Sequence, residues 1–289
     1  MIPLPQIALP AEANAKLQEY QQAVDALQTY AEQVAAAKSR FSQYNKIGNT
    51  TFDAVKEALI RICAGVGRCH YCEDSKADEV EHFRPKDLYP DVVFVWENYL
   101  YACGPCNGRK SNHFAILVLD QQGEPVALEV MRKSTDPVVA PRAGQPALID
   151  PRTEDPTALI ALDLRDTFYF AARPDPDTIS YAAIYANEPY ANTLVAALKV
   201  RAEYTIATMT MNRDLLPETR RNAYESYFQY LSRYVERRSA GAPQDALDRV
   251  IRAIQRMTHP TVWFEMKRQY RVIPELETLF TQAPEALDF

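Results

Sequence analysis

Two pairs of closely spaced cysteines, 69-CHYC-72 and 103-CGPC-106, constrain this 289-residue chain more than any other feature. Each pair has the Cys-x2-Cys spacing that brings two sulfurs to one ion, so four thiolates predict a closed tetrahedral zinc site. The predicted ligands are Cys69, Cys72, Cys103 and Cys106. His70 is an alternative ligand, but four sulfurs already fill the site. Because a closed site has no position for water, we expect this zinc to be structural and to hold the thirty-residue segment between the pairs.

Charge is distributed unevenly along the chain. The formal net charge is −6, yet residues 199–271 contain 14 Lys and Arg against 8 Asp and Glu. This basic part can bind phosphate or an acidic partner, although solvated helix faces with i,i+4 ion pairs explain it equally well. The N-terminus lacks the features of a signal peptide, and the longest aliphatic run, 114-FAILVL-119, is too short to span a bilayer. We therefore expect a cytoplasmic protein with no membrane association and with reduced cysteines.

Hydrophobic periodicity and proline positions predict a mainly helical chain. One long helix is expected over 11–45, and a second over 52–65 places Cys63 on its apolar face as a buried hydrophobic residue. The C-terminal helices are predicted over 188–211, 217–239, 243–257, 261–270 and 274–282. Between residues 115 and 187, eight prolines indicate an irregular insert. Its predicted strands are 115–120, 126–131, 167–172 and 178–183, of which the last two are expected to form a hairpin.

The segment around the cysteine pairs contains residue types suited to phosphodiester hydrolysis. This reaction needs an activated water and a cation at the scissile phosphate. Histidine ordinarily has a pKa near neutrality, so His82 can accept the proton of the water, and the carboxylate of Glu81 and the amide oxygen of Asn107 suit Mg²⁺. Adjacent side chains on a strand point to opposite faces. Glu81 and His82 therefore share one site only where the strand twists or ends, which Pro85 favours.

The order of these residues resembles the zinc-stapled subgroup of the HNH, or ββα-metal, nuclease superfamily. The resemblance implies that His82 is the general base, and that Glu81, commonly Asp in the family, and Asn107 bind a catalytic Mg²⁺ or Mn²⁺. Asn98 matches the middle Asn of the family motif, which braces the loop that bears the base. Lys110 lies one turn after Asn107 and is expected to face the same phosphate, with a solvated surface charge as the alternative.

Three further cations, Arg84, Lys86 and Arg109, are candidate contacts to nucleic-acid phosphates, although Arg109 is equally consistent with a solvated charge. His113 is an alternative metal ligand in place of a water. Residues 68–113 contain six Lys and Arg against eight Asp and Glu, so this face alone would bind a polyanion weakly. DNA is therefore expected to be held elsewhere, by the basic C-terminal helices or by a partner.

Several segments narrow the resemblance to the HNH nuclease subunit of Septu antiphage systems, which also occurs beside some retrons. The similar segments are 69-CHYCE-73, 81-EHFRPK-86, 96-WENYL-100, 147-ALIDPRTEDP-156 and 205-TIATMTMNRDLLPETRR-221. The resemblance implies a partner, an ATPase of the SMC/ABC-like class that restrains or delivers the nuclease. It also implies bacterial defence by degradation of DNA, or of tRNA in some retron-linked members.

Together these features predict a fold that is mainly α with a small embedded ββα-metal motif, helical N- and C-terminal flanks and short β-pairs in an irregular insert. The predicted regions are N-terminal helices over 1–62, the HNH motif with its zinc over 63–114, the insert over 115–187 and C-terminal helices over 188–289, with 63–289 as one domain as an alternative. The predicted function is a metal-dependent endonuclease acting on DNA. A zinc-stapled scaffold without activity is the alternative, and a stand-alone restriction or homing nuclease would need its own DNA-reading domain.

Overall fold

The computed structural model describes residues 1–63, 65–176, 178–210 and 215–289. Within these ranges the chain is mainly helical and its strands pair two by two, which confirms the predicted combination of helices and small β-pairs. The helices are α1 (Ala11–Asp25), α2 (Tyr30–Tyr44), α3 (Thr50–Ile62), α4 (Gly104–Lys110), α5 (Thr178–Tyr185), α6 (Leu194–Thr210), α7 (Leu216–Ser239), α8 (Gln244–Gln255), α9 (Pro260–Gln269) and α10 (Pro274–Gln282). The strands are β1 (Glu79–His82), β2 (Tyr99–Ala102), β3 (Ala115–Leu119), β4 (Pro125–Glu129), β5 (Ile160–Leu162) and β6 (Phe170–Ala172). Across these ranges, none of the helices has both the length and the apolar composition needed to cross a membrane.

The N-terminal region forms two helices, α1 and α2, where the sequence predicts one. Thr29 begins α2 with a capping box: its hydroxyl accepts the N–H of Glu32 at 3.2 Å, and the Glu32 carboxylate accepts the N–H of Thr29 at 3.0 Å. Such reciprocal bonds satisfy free backbone N–H groups at the start of a helix, so a new helix can begin here although the stretch contains neither Pro nor Gly. The prediction of a single helix over 11–45 is therefore wrong.

The insert contains paired strands, but not the hairpin that the sequence predicts. β3 and β4, which match two of the predicted strands, pair in antiparallel fashion. The predicted hairpin of 167–172 with 178–183 is wrong, because residues 178–183 lie in α5 and β6 pairs with β5 instead. Tyr181 and Tyr185 lie one turn apart on α5, with ring centroids 6.2 Å apart, and both are buried in a cluster that includes residues of α6. Burial on a helix face here outweighs the strand propensity of the aromatic and β-branched residues.

The C-terminal helices agree closely with the prediction. Helices α7, α9 and α10 have Pro217, Pro260 and Pro274 in their first turns. A first-turn N–H has no acceptor within its helix, so a proline there costs no hydrogen bond. Helix α6 begins at Leu194, later than the predicted residue 188, after a 3-10 turn. Residues 211–214 lie outside the described residues; they include the last residue of the predicted 188–211 helix and part of the quoted 205–221 segment.

A shared hydrophobic core joins the N-terminal helices to the β1–β2 pair. Phe52 and Leu59 of α3, Phe94, and Tyr99 of β2 are all buried in one cluster. On the other side, Glu73 accepts hydrogen bonds from the backbone N–H and the hydroxyl of Thr261 at 3.0 and 2.6 Å, which ties the first cysteine pair to α9. The segment with the candidate chemistry is therefore held from both ends of the chain.

Candidate functional site

The two cysteine pairs enclose a strand–strand–helix unit. β1 runs antiparallel to β2 with His82 opposite Tyr99, and α4 begins directly after Cys103. The strands are only four residues long, so each places few side chains before the chain turns. Consequently β1 ends at His82, where the sequence predicts that the strand must end if Glu81 and His82 are to share a site.

The four predicted zinc ligands form one compact group. The sulfur atoms of Cys69, Cys72, Cys103 and Cys106 all lie within 4.8 Å of one another, and all four residues are buried. A zinc ion with Zn–S bonds of about 2.3 Å requires sulfurs about 3.8 Å apart, and the Cys72–Cys103 pair is at 4.0 Å. The cluster can therefore hold one zinc ion, as the spacing predicts.

The other two sequence candidates near this cluster have different roles. His70 is buried, and its Nδ1 accepts the backbone N–H of Tyr101 at 2.8 Å, which places the ring against β2 and outside the group of sulfurs. Cys63 is buried at the end of α3, where desolvation raises the pKa of its thiol to about 12. A neutral buried thiol behaves as a small hydrophobic residue, as expected from its place on the apolar face.

The ring of His82 is oriented so that one nitrogen is free to accept a proton. Its Nε2 lies 3.0 Å from the carbonyl oxygen of Val93, which also accepts the hydroxyl of Tyr99 at 2.8 Å. Because a carbonyl only accepts, the neutral ring carries its proton on Nε2 and has its lone pair on Nδ1. The edges of Phe41 and Tyr99 pack against the ring, with centroids 4.4 and 5.3 Å away.

The environment of His82 favours the neutral imidazole. Burial, and secondarily the positive charge of Lys86, holds the pKa of His82 well below its ordinary value. A neutral ring can accept a proton, whereas a protonated one cannot. The ring is therefore in the neutral form that a general base needs, and its lowered pKa makes it a weaker proton acceptor than a free histidine.

Glu81 and Lys110 form a buried ion pair. The Nζ of Lys110 lies 2.6 Å from Oε1 of Glu81 and donates to the backbone carbonyl of His82 at 2.6 Å. Burial raises the pKa of Glu81 and lowers that of Lys110, and the opposite charge of each partner offsets part of this effect. The ammonium group thus fixes the two neighbouring residues, and its Nζ is directed at protein atoms rather than at open solvent.

Asn107 is paired with a carboxylate that the sequence analysis did not single out. Its Nδ2 donates to Oε2 of Glu79 at 2.5 Å, so the amide oxygen Oδ1 remains available. Glu79 lies two residues before Glu81, and the two side chains are on the same face of β1. This i,i+2 spacing of two acidic residues was the signal that could have identified Glu79.

A cleft of about 300 Å³ brings these groups together. Its lining includes Glu79, Glu81, His82, Pro85, Lys86, Gly104, Asn107, Gly108, Ser111 and Asn112. Four of the predicted site residues therefore share one opening, namely Glu81, His82, Lys86 and Asn107. The remaining ones, Asn98, Lys110, Arg84 and Arg109, are not part of this lining.

Asn98 acts on the backbone behind the cleft. Its Oδ1 accepts the N–H of Arg84 at 2.8 Å, and its Nδ2 donates to the carbonyls of Arg84 and Val92 at 3.1 and 3.0 Å. These bonds connect the start of the 83–93 loop to its end, next to the carbonyl of Val93 that orients His82. Such a bracing contact is what the resemblance implies for this residue.

The remaining sequence candidates lie outside the cleft. Arg84 stacks over the rings of Tyr89 and Phe114, with centroids 5.2 and 5.7 Å from its guanidinium carbon. Arg109 is exposed on α4. His113 is partly exposed, with Nδ1 3.8 Å from a carboxylate oxygen of Glu129. Neither Arg109 nor His113 is among the residues that line the cleft.

Arg152, in the quoted 147-ALIDPRTEDP-156 segment, holds the backbone turn that carries Asn98. Its guanidinium donates to the carbonyls of Trp96 and Tyr99, both at 2.9 Å, and stacks on the Trp96 ring at 4.2 Å. These contacts flank Asn98 on both sides. The arginine is only 3% exposed, so its charged guanidinium donates to the turn that carries Asn98 from within the protein.

Substitution of Arg152 by methionine should destabilise the protein by about 3 kcal/mol, because two buried carbonyls lose a charged donor. The free energy of unfolding in urea measures this effect. Arg165→Met is the matched control, since Arg165 donates to the Val272 carbonyl at 2.9 Å from an exposed position. The control should lose less than about 1 kcal/mol, and equal losses in both variants would contradict the bracing role.

Comparison with known proteins gives one partial match. No family model matches the chain, and no solved structure matches it. Over 77 residues the chain is 45% identical to the Septu protein PtuB of Bacillus thuringiensis. The match covers 25% of this chain and 27% of PtuB, so the chain matches only about a quarter of the length of this relative. It supports a Septu-like relationship for the matched stretch.

Proposed function

We propose that this chain is a metal-dependent endonuclease of the HNH type that hydrolyses phosphodiester bonds of nucleic acid, with DNA as the principal substrate. The observation that carries the proposal is the orientation of His82 at the end of β1. Its Nε2 faces the Val93 carbonyl, so the lone pair of the neutral ring is on Nδ1. His82 lines the same cleft as Glu81 and Asn107. A base beside oxygen ligands is the arrangement that metal-assisted phosphodiester hydrolysis needs.

The residues of the cleft fit a hard divalent cation. Glu81 has one carboxylate oxygen outside its ion pair with Lys110, Asn107 has a free amide oxygen, and Glu79 lies beside Asn107. Such an all-oxygen donor set suits Mg²⁺ or Mn²⁺ rather than zinc. When bound, the cation would neutralise charge at the scissile phosphate.

The protein side chains then have distinct tasks. His82 accepts a proton from the attacking water, and Phe41 and Tyr99 exclude other water from its ring. Asn98 holds the loop whose carbonyl at Val93 fixes the tautomer of the base, and Arg152 holds the turn that carries Asn98. The zinc cluster keeps β1, β2 and α4 in place and has no open position for chemistry.

We further propose that the protein is the nuclease effector of a Septu-like antiphage system, working with an SMC/ABC-like ATPase. The partial identity with PtuB supports a place in such a system, and the sequence resemblance implies the ATPase. The helices outside residues 63–114 provide the surface on which such a partner would dock. The proposed regions remain 1–62, 63–114, 115–187 and 188–289.

Nicking of supercoiled plasmid with Mg²⁺ or Mn²⁺ tests the nuclease proposal, with and without a candidate ATPase. His82→Ala should lower the cleavage rate by a factor of about 10²–10⁴, the usual contribution of a general base. His113→Ala is the matched control, because His113 lies outside the cleft. Zinc content and urea unfolding of each variant show whether the fold is intact, and His82→Gln replaces the alanine variant if alanine unfolds the protein.

A scaffold subunit without activity is the second candidate. The observation in its favour is the buried ion pair that occupies one oxygen of Glu81. No cleavage by zinc-loaded wild type under any condition, with the ATPase present, would support the scaffold and contradict the nuclease.

A further inference from the structure

The described residues near the cleft include a group of cations that the sequence keeps far apart. Lys38 belongs to α2, Lys86 follows β1, and Arg132 follows β4. We call these three residues the basic rim. Because residues 68–113 alone carry more acidic than basic groups, cations supplied by other segments change the charge of this face.

Asp87 connects the members of the rim. Its carboxylate lies 3.0 Å from Nζ of Lys38 and accepts the amide of Asn112 at 3.0 Å, and its backbone carbonyl accepts Nη2 of Arg132. Asn112 and Lys86 both line the cleft. The rim therefore begins at the edge of the cleft and continues outward across α2.

The rim retains binding capacity for an anion. The group contains three cations and one carboxylate, Asp87, which pairs with Lys38, so its formal charge is +2. The side chain of Lys38 is 54% exposed, and Arg132 is partly exposed. The ring centroid of Tyr30 lies 5.8 Å from the Arg132 guanidinium carbon. The hydroxyl of Tyr30 donates to the Leu88 carbonyl at 2.8 Å, which holds this ring in place against Arg132.

We propose that the basic rim binds the phosphodiester backbone of the nucleic-acid strand that enters the cleft. The inference rests on the proposed nuclease function and locates substrate binding on α2 and the segment after β4. Lysine and arginine at a surface bind successive phosphates with little dependence on base sequence, and each contact releases counterions. The position of the rim at the mouth of a cleft with a base and oxygen ligands favours a phosphodiester strand over an acidic peptide.

Salt-dependent binding of a fluorescent DNA duplex tests the proposal, with zinc-loaded protein and without added magnesium so that the strand stays intact. The double variant Lys38→Gln/Arg132→Gln should bind more weakly than wild type. The plot of log K against log salt should also become less steep: its negative slope should shrink in magnitude by about 2, because each lost phosphate contact removes about 0.9 from it. The same titration is repeated with single-stranded DNA and with RNA of the same sequence. For these ligands the magnitude of the slope should shrink by about 0.7 per lost contact.

Lys16→Gln/Arg165→Gln is the matched control, since it also removes one exposed lysine that pairs with a carboxylate and one arginine that donates to a backbone carbonyl, and both lie outside the basic C-terminal helices. This control should bind like wild type. The proposal is overturned if the rim variant keeps the wild-type slope, if the control loses as much, or if wild type binds none of the nucleic acids. Plasmid cleavage with magnesium is scored separately, so failure of the nuclease and failure of the rim give different results.

Discussion

Cys103→Ser should release zinc from the protein and unfold the segment between the two cysteine pairs. The four sulfurs lie within 4.8 Å of one another, so one ion would connect both ends of this segment, and a serine hydroxyl is a poor substitute for a thiolate. In zinc-finger peptides a structural zinc contributes about 10–16 kcal/mol, as much as the whole stability of many domains. Metal analysis should find one zinc per wild-type chain and much less in the variant, and urea unfolding should lose its cooperative transition.

Cys63→Ser provides the control for this experiment, because the chemical change is the same and the residue is also buried. It lies outside the group of sulfurs, so the variant should retain its zinc. The buried hydroxyl should cost about 1–3 kcal/mol. If Cys103→Ser retained zinc and stability at the level of Cys63→Ser, a four-cysteine zinc site would be contradicted.

Lys110→Met should destabilise the protein by about 3–5 kcal/mol, because it leaves the buried carboxylate of Glu81 without its counter-charge. The backbone carbonyl of His82 loses its donor in the same step. Urea unfolding of the zinc-loaded proteins measures the loss. Burial already raises the pKa of Glu81, and removal of the ammonium should raise it further. The folded variant then binds a proton more tightly than the unfolded chain, so its deficit should shrink as the pH falls.

The double variant Glu81→Gln/Lys110→Met separates charge from packing. It removes both charges, so it should recover a large part of the stability that Lys110→Met loses. Lys199→Met is the exposed control, since Lys199 and Glu203 are 3.9 Å apart at the surface, and should lose less than about 1 kcal/mol. A loss in Lys110→Met no larger than in Lys199→Met would contradict the importance of the buried pair.

The parts of the structure that depend on local chemistry were predictable from the sequence. Cysteine spacing identified the group of four sulfurs, and first-turn prolines located α7, α9 and α10. The errors came from features that compete with local preference. The 26–29 turn depends on a capping box in a stretch without Pro or Gly, and α5 depends on burial of two tyrosines against α6 and the insert.

In the candidate site, the sequence indicated which residues are present but not which atoms meet. Glu81, His82 and Asn107 line one cleft, but the pairing of Asn107 with Glu79 depends on how β1 and α4 pack. The contacts of Phe41 with His82 and of Arg152 with the Asn98 turn join residues more than forty positions apart. No local sequence pattern connects such pairs.

The position of Phe41 on the ring of His82 also limits how this motif can be exchanged between proteins. The aromatic edge that keeps water from the imidazole belongs to α2, before the first cysteine. A fragment of residues 63–114 grafted onto another scaffold would keep its zinc ligands and Tyr99 but lose Phe41, so the imidazole would be more exposed to solvent and its pKa closer to that of free histidine. The smallest portable module therefore includes the N-terminal helices, and recombination that preserves the chemistry should join at or before α2.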